Sequence, residues 1–419
     1  MPRSPSFKGI EAMKVAFIAP AYPPEQRDFT RGLAEVGATV IGIGDGPEAG
    51  LPSQVRRYLS QYIRVPHLFS EERAAATLAP ALAALGVDRV ESNWEPTVLL
   101  AARLRDMLGL GGMSRDVALG FRDKQVMKER LKAAGLRVPH SRRVRSDDEA
   151  RQAADVVGFP LILKPIAGAG SADTFRCDTP SQLEDAIALT RHVSEMSIEE
   201  FIDGDEFTYD TVCIEGRPVF ESVARYYPRP LTFRSEQWIS PAQLVYRNPY
   251  DPTLDVAEGI KLGRAVLDAL NMGTGFTHME WYRKKSGEVV FGEIGCRNGG
   301  GHFVDMMNWS NDFDIYREWA RAICWHSFEA TASRRYHVAM VFKRALGEGR
   351  IAQIDGIDEI RRRYGRWIVA DDLLPIGSPR RNWKQTLLSD GFLAVRHPDH
   401  SVCIEMMEAL IGRLQLYAR

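Results

Sequence analysis

The amino-acid sequence predicts an open α/β domain followed by mixed α+β structure. Residues 13–112 alternate apolar, strand-like runs with stretches of helical spacing, which is typical of a parallel sheet covered by helices. Residues 113–330 mix helices with strands that return on themselves, and residues 331–419 contain short strands and turns before a final helix. Because a chain of 419 residues exceeds the size of one hydrophobic core, we expect roughly two or three domains.

The first predicted domain covers residues 13–112. It follows a tail, residues 1–12, that lacks the apolar core of a signal peptide and that we expect to be disordered. Apolar periodicity and capping residues define its elements. In chain order they are the strand Lys14–Pro20, the helix Glu25–Val36, the strands Thr39–Asp45 and Tyr62–Pro66, the helix Ser70–Leu85, the strand Val87–Asn93 and the helix Pro96–Leu108.

The second predicted domain covers residues 113–330, and a small third one covers residues 331–419. The segment Tyr226–Tyr250 holds four prolines and several aromatic residues, so it is predicted to be a long functional loop. The other predicted elements are the helices Asp123–Ala134 and Asp147–Val157, the strand Pro160–Pro165, a hairpin of Phe276–Tyr282 with Glu288–Ile294, and the last helix Ser401–Leu416.

Composition and charge exclude several classes of protein. Lys and Arg number 54 against 55 acidic residues, a formal net charge of −1, which argues against a general nucleic-acid binder. No apolar run is long enough to span a membrane. The five cysteines are scattered without a C-x-x-C pair, so we expect neither a disulfide framework nor a structural zinc site. A cytoplasmic location fits this pattern best, and a homodimer stays open.

Two glutamates stand out in the predicted hairpin. If Arg283 pairs with Glu288, then Glu280 and Glu293 become diagonal neighbours on one face, roughly 7–8 Å apart at their backbones. Carboxylates that close repel each other unless a cation lies between them, and magnesium prefers such hard oxygen ligands. Arg297 follows the second strand and adds a fixed positive charge. The alternative is a hairpin with two solvated glutamates.

Two lysines point to a phosphate site. Lys124 begins a predicted helix, and Lys164 ends an apolar strand, where an ammonium group is costly to bury unless it is paired. A glycine-rich turn containing Gly168, Gly170 and Ser171 follows, and such turns let backbone N–H groups approach phosphate oxygens. The sequence has no Walker A motif, which excludes a P-loop nucleotide-binding protein at the motif level. A lysine that simply reaches water at a strand end is the alternative.

An acidic segment follows at residues 198–206. It presents a short extended piece and a glycine turn, and such a linker can offer backbone groups to an adenine edge and a carboxylate to ribose hydroxyls. Its candidate nucleotide-binding residues are Glu199, Phe201, Ile202 and Glu206. An acidic surface turn is the alternative for this segment taken alone.

Taken in order, these motifs resemble the ATP-grasp superfamily, specifically its carboxylate–amine ligase branch with the L-amino acid ligases. The resemblance covers residues 13 to about 330 and implies an ATP-grasp fold with an N-terminal Rossmann-like (pre-ATP-grasp) domain and a small C-terminal α+β domain. It implies that ATP is bound by Lys124, Lys164, Gly168, Gly170, Ser171, Glu199, Phe201, Ile202 and Glu206. It implies that Mg²⁺, with Mn²⁺ as an alternative, is held by Glu280 and Glu293, and that Arg297 and Lys164 are catalytic.

The activity implied by the resemblance is an ATP-dependent ligation. ATP phosphorylates a carboxylate, and a small-molecule amine then attacks the acyl-phosphate. Substrate contacts are expected from the long loop and from the glycine-rich segment after the hairpin, namely from Arg229, Arg234, Arg297, Gly299, Gly300 and His302. Two other readings stay open: a carboxyphosphate-forming enzyme of the biotin-carboxylase type, and an ATP-binding module without catalysis.

One position departs from the family pattern. The family often has Glu-x-Asn-x-Arg at the second metal site, and the asparagine position is Gly295 in this chain. A metal ligand is then missing, which leaves the number of metal ions open. His278 and Cys296 lie near the motif, and we expect both to be packed side chains rather than a ligand and a nucleophile.

Overall fold

The structure of the chain is a computed structural model that describes residues 12–166, 173–383, 386 and 389–419. Gly168, Gly170 and Ser171 of the predicted phosphate loop lie outside the described residues, and so do residues 1–11 of the predicted tail. Within the described part, no helix combines the length and apolar character that crossing a bilayer requires.

The N-terminal region forms the predicted parallel sheet. Its four strands have the order β3-β2-β1-β4 and are all parallel. Gly86 and Gly109 end two helices in the left-handed conformation, where a glycine avoids the steric cost of a Cβ atom. The elements are β1 (Lys14–Ile18), α1 (Gln26–Glu35), β2 (Thr39–Gly44), α2 (Ser53–Arg56), β3 (Leu59–Arg64), α3 (Glu71–Leu85), β4 (Arg89–Glu91) and α4 (Val98–Leu108).

A small antiparallel sheet follows, with the strand order β5-β8-β6-β7. Helices α7 and α8 cover it with alanine, leucine and isoleucine side chains that form a core of their own. The elements of this region are α5 (Arg115–Gly120), α6 (Lys124–Ala133), β5 (Ser141–Val144), α7 (Asp147–Val157), β6 (Leu161–Pro165), β7 (Phe175–Cys177), α8 (Pro180–Thr190) and β8 (Met196–Glu200).

The centre of the molecule is an eight-stranded antiparallel sheet with the order β13-β12-β9-β10-β11-β14-β18-β17. Helices α11 and α12 contribute to the core between this sheet and the N-terminal region. The elements up to β14 are β9 (Asp205–Ile214), β10 (Arg217–Tyr227), α9 (Pro230–Ser235), β11 (Ala242–Val245), α10 (Ala257–Ala269), β12 (Gly275–Arg283), β13 (Val289–Gly295), α11 (Phe303–Asn311), α12 (Ile315–Trp325) and β14 (His337–Phe342).

The last part of the chain continues the large sheet and adds a small one. Strands β14, β18 and β17 belong to the same sheet as the central hairpin, so this sheet runs across the predicted boundary near residue 330. A three-stranded sheet, β15-β19-β16, lies beside it. The remaining elements are β15 (Leu346–Gly347), β16 (Ile351–Asp355), α13 (Ile357–Tyr364), β17 (Ile368–Asp371), β18 (Phe392–His397), α14 (His400–Arg413) and β19 (Gln415–Ala418).

Two predicted elements need correction. The segment Tyr226–Tyr250 is not one long loop, because it contains α9 and the fully buried strand β11, which lies between β10 and β14. The last helix does not continue to Leu416. It ends at Arg413, since the four residues of β19 pair with β16. In both places tertiary strand pairing overrides the local pattern.

The central hairpin has a different register from the predicted one. Arg283 pairs with Val289, and a bulge at Gly292 shifts the register again, so that Glu280 lies directly opposite Glu293 rather than diagonal to it. A Cβ atom on Gly292 would approach the Glu280 carbonyl oxygen to 2.8 Å, so glycine is the residue that fits this bulge. Both carboxylates still share one face, and they are closer than the sequence predicts.

The N-terminal region and the rest of the chain share a hydrophobic core. Phe29 of α1 packs its ring against Phe276 of β12 at 5.8 Å and against Trp319 of α12 at 4.9 Å between centroids. Gly32 lets α1 approach the Tyr316 carbonyl of α12 so closely that a Cβ atom would lie 2.6 Å from its oxygen. The five cysteines are buried in several cores, and all are unpaired: Cys177, Cys213, Cys296, Cys324 and Cys403.

Candidate active site

A cavity of about 690 Å³ lies between the small sheet, the large sheet and the N-terminal region. Each of the three contributes charged or polar side chains to its wall. They include Asn93 and Glu95 from the N-terminal region, Lys124 from α6, Lys164 and Glu199 from the small sheet, and Glu206, Glu280, Glu293 and Arg297 from β9 and the hairpin with its following turn. Charged groups far apart in sequence therefore converge on one space.

The two predicted lysines meet acidic partners at this cavity. Lys124 Nζ lies 3.2 Å from Glu293 Oε1, and Lys164 Nζ lies 2.9 Å from Glu199 Oε2 and 3.9 Å from Glu293 Oε2. Lys128, one turn after Lys124, forms a buried ion pair with the other oxygen of Glu199. Three ammonium groups and two carboxylates thus form one network.

Burial and pairing determine the charges of this network. Burial favours the neutral form of Glu199, but Lys128 and Lys164 outweigh it and hold the pKa of Glu199 well below its usual range. Burial opposes a charge on Lys164, yet Glu199 and Glu293 raise its pKa above the ordinary value. For Lys128, burial prevails and lowers the pKa to about 8. Lys164 is therefore a fixed cation at the cavity wall.

Glu280 lies across the hairpin from Glu293 and contacts polar groups of its own. The Tyr226 hydroxyl donates to Glu280 at 3.3 Å, and His278 Nε2 lies 3.7 Å from the same carboxylate. Asp210 lies 2.6 Å from His278 Nδ1, and although burial works against the charge, Asp210 raises the pKa of His278 to about 9. His278 is thus an imidazolium beside the carboxylate pair at neutral pH.

Arg297 is held by two acceptors. Its Nε donates to Glu95, which comes from the turn after β4, and its Nη1 donates to the Asn298 carbonyl at 2.6 Å. Glu95 also lies 3.6 Å from Arg122. Burial alone would raise the pKa of Glu95, but Arg297 and Arg122 hold it below the usual value, so this carboxylate is charged.

Two residues of the predicted adenine linker, Ile202 and Glu206, also line the cavity. Glu206 is 4% exposed and lies 3.4 Å from Arg229, whose Nη1 donates to the Ile202 carbonyl at 2.8 Å. The Arg229 guanidinium also lies over the rings of Phe201 and Tyr282, 5.0 and 4.9 Å from their centroids. Arg229, predicted as a substrate residue, lines the cavity and also contacts the predicted nucleotide-binding residues.

Some of the other predicted substrate residues line the cavity, and others pack against neighbouring side chains. Arg234 and Gly300 line the cavity, together with Leu231 and Phe233 of the segment predicted as a substrate loop. Gly299 packs closely on the His278 ring, which a Cβ atom would approach to 2.8 Å. His302 binds Asp305 through Nδ1 at 2.7 Å and packs on Phe392. Burial raises the pKa of Cys296 to about 12, which is the opposite of what a nucleophile needs.

Sequence reasoning missed three participants. Lys128 had a usable signal, since it lies four residues after Lys124 and therefore on the same helix face. Asp210 had a weaker signal, because polar residues alternate with aromatic ones from Glu206 to Asp210, and Glu206 lines the cavity. Glu95 had none, because only the packing of the N-terminal region brings it to Arg297.

The donor set fits magnesium bound together with a nucleotide. The described residues contain no group of three or more His, Cys, Asp and Glu side chains suited to a metal ion. Glu280 and Glu293 are hard oxygen ligands on one face, and magnesium commonly uses one or two carboxylates, water and substrate phosphates. The adjacent Lys124 and Lys164 match the phosphate groups that would complete such a site.

Comparison with known proteins gives the domain type. Residues 157–305 match the family model of the ATP-grasp domain. The chain is 31% identical over 227 residues to the L-arginine-specific L-amino acid ligase of Bacillus subtilis, a match that covers 52% of this chain and 54% of that protein. It is 41% identical over 96 residues to the D-alanine–D-alanine ligase of Kocuria rhizophila, covering 21% of this chain and 25% of that protein. These matches span about half or less of the relatives.

Solved structures extend the likeness to the whole fold. The L-amino acid ligase from Bacillus licheniformis superposes with a TM-score of 0.77 at 19% identity, covering 98% of this chain and 100% of that one. The N5-carboxyaminoimidazole ribonucleotide synthetase from Thermotoga maritima reaches 0.67 at 18% identity, covering 97% and 100%. Because both identities are low, these likenesses establish the fold and leave the reaction open.

Proposed function

We propose that this ATP-grasp protein is an ATP-dependent ligase that joins the carboxylate of an amino acid or other small acid to an amine. The observation that carries the proposal is the opposition of Glu280 and Glu293 across one hairpin. Lys124 and Lys164 lie 3.2 and 3.9 Å from Glu293, and Arg297 lines the same cavity. Phosphoryl transfer needs this combination of positioned cations and metal carboxylates more than it needs covalent help.

The reaction has two group-transfer steps. A carboxylate oxygen of the acid attacks the γ-phosphorus of ATP, the bond from that phosphorus to the β,γ-bridging oxygen breaks, and ADP leaves. The amine nitrogen then attacks the acyl carbon of the acyl-phosphate. The carbon–oxygen bond to phosphate breaks, phosphate leaves with the bonding electrons, and the nitrogen loses a proton as the amide forms.

Each charged group has a separate task in this scheme. Lys124 and Lys164 bind ATP phosphate oxygens, and Glu280 and Glu293 hold magnesium, or manganese as an alternative. When bound, the metal neutralises charge on the β- and γ-phosphates. Arg297 stabilises the acyl-phosphate and then the oxyanion that forms when the amine attacks. A donor placed in advance for such charge contributes on the order of 10²–10³ in rate.

Two buried side-chain amide atoms without hydrogen-bond partners favour a small polar substrate. Asn93 Nδ2 and Asn298 Oδ1 are buried at the cavity and have no hydrogen-bond partner among the described residues. Leaving buried polar atoms unpaired costs roughly 1–3 kcal/mol each, so a ligand with donors and acceptors is expected there. An amino acid offers both, and the ligase relatives named above act on amino acids by their names.

The test is a screen for phosphate release from ATP over pairs of amino acids and small acids, with the products identified by mass spectrometry. A peptide or amide that appears only with both substrates supports the ligase. Phosphate release that requires bicarbonate supports the carboxyphosphate alternative instead. Nucleotide binding without turnover under every condition leaves only an ATP-binding module. Arg297→Ala serves as the matched variant that should bind ATP without forming product.

A further inference from the structure

We propose that Glu95 of the N-terminal region is the positioning residue for Arg297, and that residue 295 is glycine because the Glu95 carboxylate occupies the adjacent space. The inference deepens the proposed ligase function and rests on it, because the role of Arg297 in stabilising charge comes from that proposal. It also gives a reason for the one departure from the family pattern in the sequence.

The first step is how the guanidinium is held. Glu95 Oε2 accepts from Arg297 Nε at 2.5 Å, and the Asn298 carbonyl accepts from Nη1 at 2.6 Å. Two acceptors in different directions fix both the position and the rotation of a planar guanidinium group. Nη2 is the donor group that these two contacts do not use. Because Arg297 lines the cavity, we infer that Nη2 is the group left to donate to a ligand there.

The second step is why Glu95 stays charged and in place. Its side chain is only 12% exposed, and its other oxygen lies 3.6 Å from Arg122. Arg122 and Arg297 therefore hold different oxygens of the same carboxylate. Glu95 lies in the 3₁₀ turn Glu95–Thr97 just before α4, so the whole N-terminal region determines where this carboxylate sits.

The third step concerns residue 295. A Cβ atom on Gly295 would lie 3.4 Å from Glu95 Oε2 and 3.4 Å from Arg297 Cγ. A methyl group fits at that distance, but an asparagine amide would extend beyond it into the space of the carboxylate. We therefore expect an asparagine at 295 to compete with Glu95 and Arg297 for the space next to the Cβ position.

The alternative is that Glu95 and Arg297 form only a structural ion pair between regions of the chain. If the pair is only structural, replacing Glu95 lowers the stability of the protein and does not lower kcat selectively relative to KM. A positioning pair lowers kcat while ATP affinity stays the same, because Arg297 would be misplaced only for the reacting groups. Misplacement of about 1 Å at a reacting centre costs on the order of 10²-fold in rate.

The experiment compares Glu95→Ala and Glu95→Gln with wild type in steady-state ligation and in ATP binding. We expect kcat to fall about 10²-fold in Glu95→Ala, and by less in Glu95→Gln, whose amide oxygen still accepts from Arg297. The KM for ATP should stay unchanged in both. Glu72→Gln is the control, because Glu72 is an 84% exposed carboxylate of the same region. Unchanged kcat in Glu95→Ala overturns the proposal.

A second measurement uses the relation to Gly295. Gly295→Asn should lower kcat strongly in the wild-type background and less in the Glu95→Ala background, where the space is free. Equal effects in the two backgrounds overturn the steric part of the inference. A crystal structure of Glu95→Ala should have Arg297 displaced. If wild type ligates nothing, the proposed function fails, and this crystal structure still decides whether Glu95 positions Arg297.

Discussion

At the scale of single residues, we expect different side chains of the cavity to affect ATP binding and the reaction itself. Arg297→Ala should retain most ATP binding and lose product formation by about 10²–10³ in kcat, because Arg297 meets charge that develops only during the reaction. Glu280→Gln and Glu293→Gln should instead weaken the use of magnesium–ATP, since each loses a hard oxygen ligand. Titration calorimetry with an ATP analogue and steady-state assays measure the two effects.

A normal ligation rate in Arg297→Ala would refute the assigned chemistry and favour the ATP-binding module. Normal turnover in both glutamate variants would reduce the hairpin to a structural element. Arg234→Ala is a control for the loss of an arginine from the cavity, because Arg234 also lines the cavity but has no assigned role in phosphate chemistry.

Site residues could be predicted from the sequence where the neighbouring residues form a recognisable pattern. Site residues that only tertiary packing brings to the cavity could not be predicted. Lys164 follows an apolar strand and precedes glycines, and the hairpin spacing brings Glu280 and Glu293 to one face. Glu95 reads as an ordinary residue before a helix, because its partner Arg297 is 202 positions away. The substrate prediction for Arg229 rests on its charge and on the length and aromatic residues of its segment, and these features do not reveal its contact with Glu206.

At the scale of elements, the bulge in the central hairpin fixes the carboxylate pair. Gly292→Ala would place a Cβ atom 2.8 Å from the Glu280 carbonyl oxygen and 3.1 Å from the Tyr282 ring. The strands must then separate beside Glu293, at a cost of about 1–3 kcal/mol for overpacking. We expect a higher KM for magnesium–ATP and a lower free energy of unfolding, measured by urea denaturation.

Gly365→Ala is the matched control for that variant, because a Cβ atom there meets nothing within 4 Å. It should change neither the KM nor the stability appreciably. If Gly292→Ala behaves like this control, the bulge does not hold the two carboxylates in register.

A buried lysine that follows β14 and contacts the last turns of α14 makes stability depend on pH. Lys343 is 0% exposed and donates to the carbonyls of Leu410 and Ile411 at 3.2 and 3.0 Å. Burial lowers the pKa of Lys343 to about 8. Between this value and the ordinary lysine pKa the unfolded chain binds more protons than the folded chain, so stability rises with pH in that window.

The measurement is urea unfolding of wild type and Lys343→Met at about pH 7.5 and pH 10. The stability of wild type relative to the variant should rise between the two pH values by up to about 3 kcal/mol. The comparison with the variant removes the contribution of other groups that titrate in the same range. A constant difference would mean that Lys343 has an ordinary pKa in the folded chain.

Long periodic elements were predictable and short paired ones were not. Helix α7 has the predicted bounds, because an N-capping Ser146 and three acidic residues mark its start. Strand β11 has only four residues beside Pro241, and it becomes a strand because β10 and β14 flank it. Strand β19 directly follows a helix, and its partner β16 is remote in sequence.

At the scale of the whole molecule, one close helix crossing joins the N-terminal region to the rest. Gly32→Ala would place a Cβ atom 2.6 Å from the Tyr316 carbonyl oxygen, so α1 and α12 must move apart. Alanine favours a helix over glycine by about 1 kcal/mol, and the steric cost of about 1–3 kcal/mol should exceed this gain. We expect lower stability together with a lower kcat, because Glu95 moves with the N-terminal region.

Gly46→Ala provides the comparison, since a Cβ atom at Gly46 has open space around it. Thermal unfolding and ligation assays of both variants test the crossing. A Gly32→Ala protein with full stability and full activity would show that the two regions tolerate displacement.

The order of regions could be predicted from the sequence, but their association could not. Alternation of strands and helices indicates the parallel sheet of the N-terminal region without its neighbours. The eight-stranded sheet draws β14, β18 and β17 from the last part of the chain: β14 pairs with β11, β18 with β14, and β17 with β18. Such non-local pairing leaves no mark in the spacing of residues, so the predicted boundaries stay predictions.

The buried cysteine thiols, none of which forms a disulfide, can serve as natural probes of local unfolding. Cys177 lies in the core of the small sheet, Cys324 in the core beneath the N-terminal region, and Cys213 and Cys403 in the core under the large sheet. A thiol reacts with an alkylating reagent only while its surroundings are open, and regions of one protein open with different free energies. Pulsed alkylation followed by peptide mass spectrometry would thus time the opening of each core in the unmodified protein, without any engineered label.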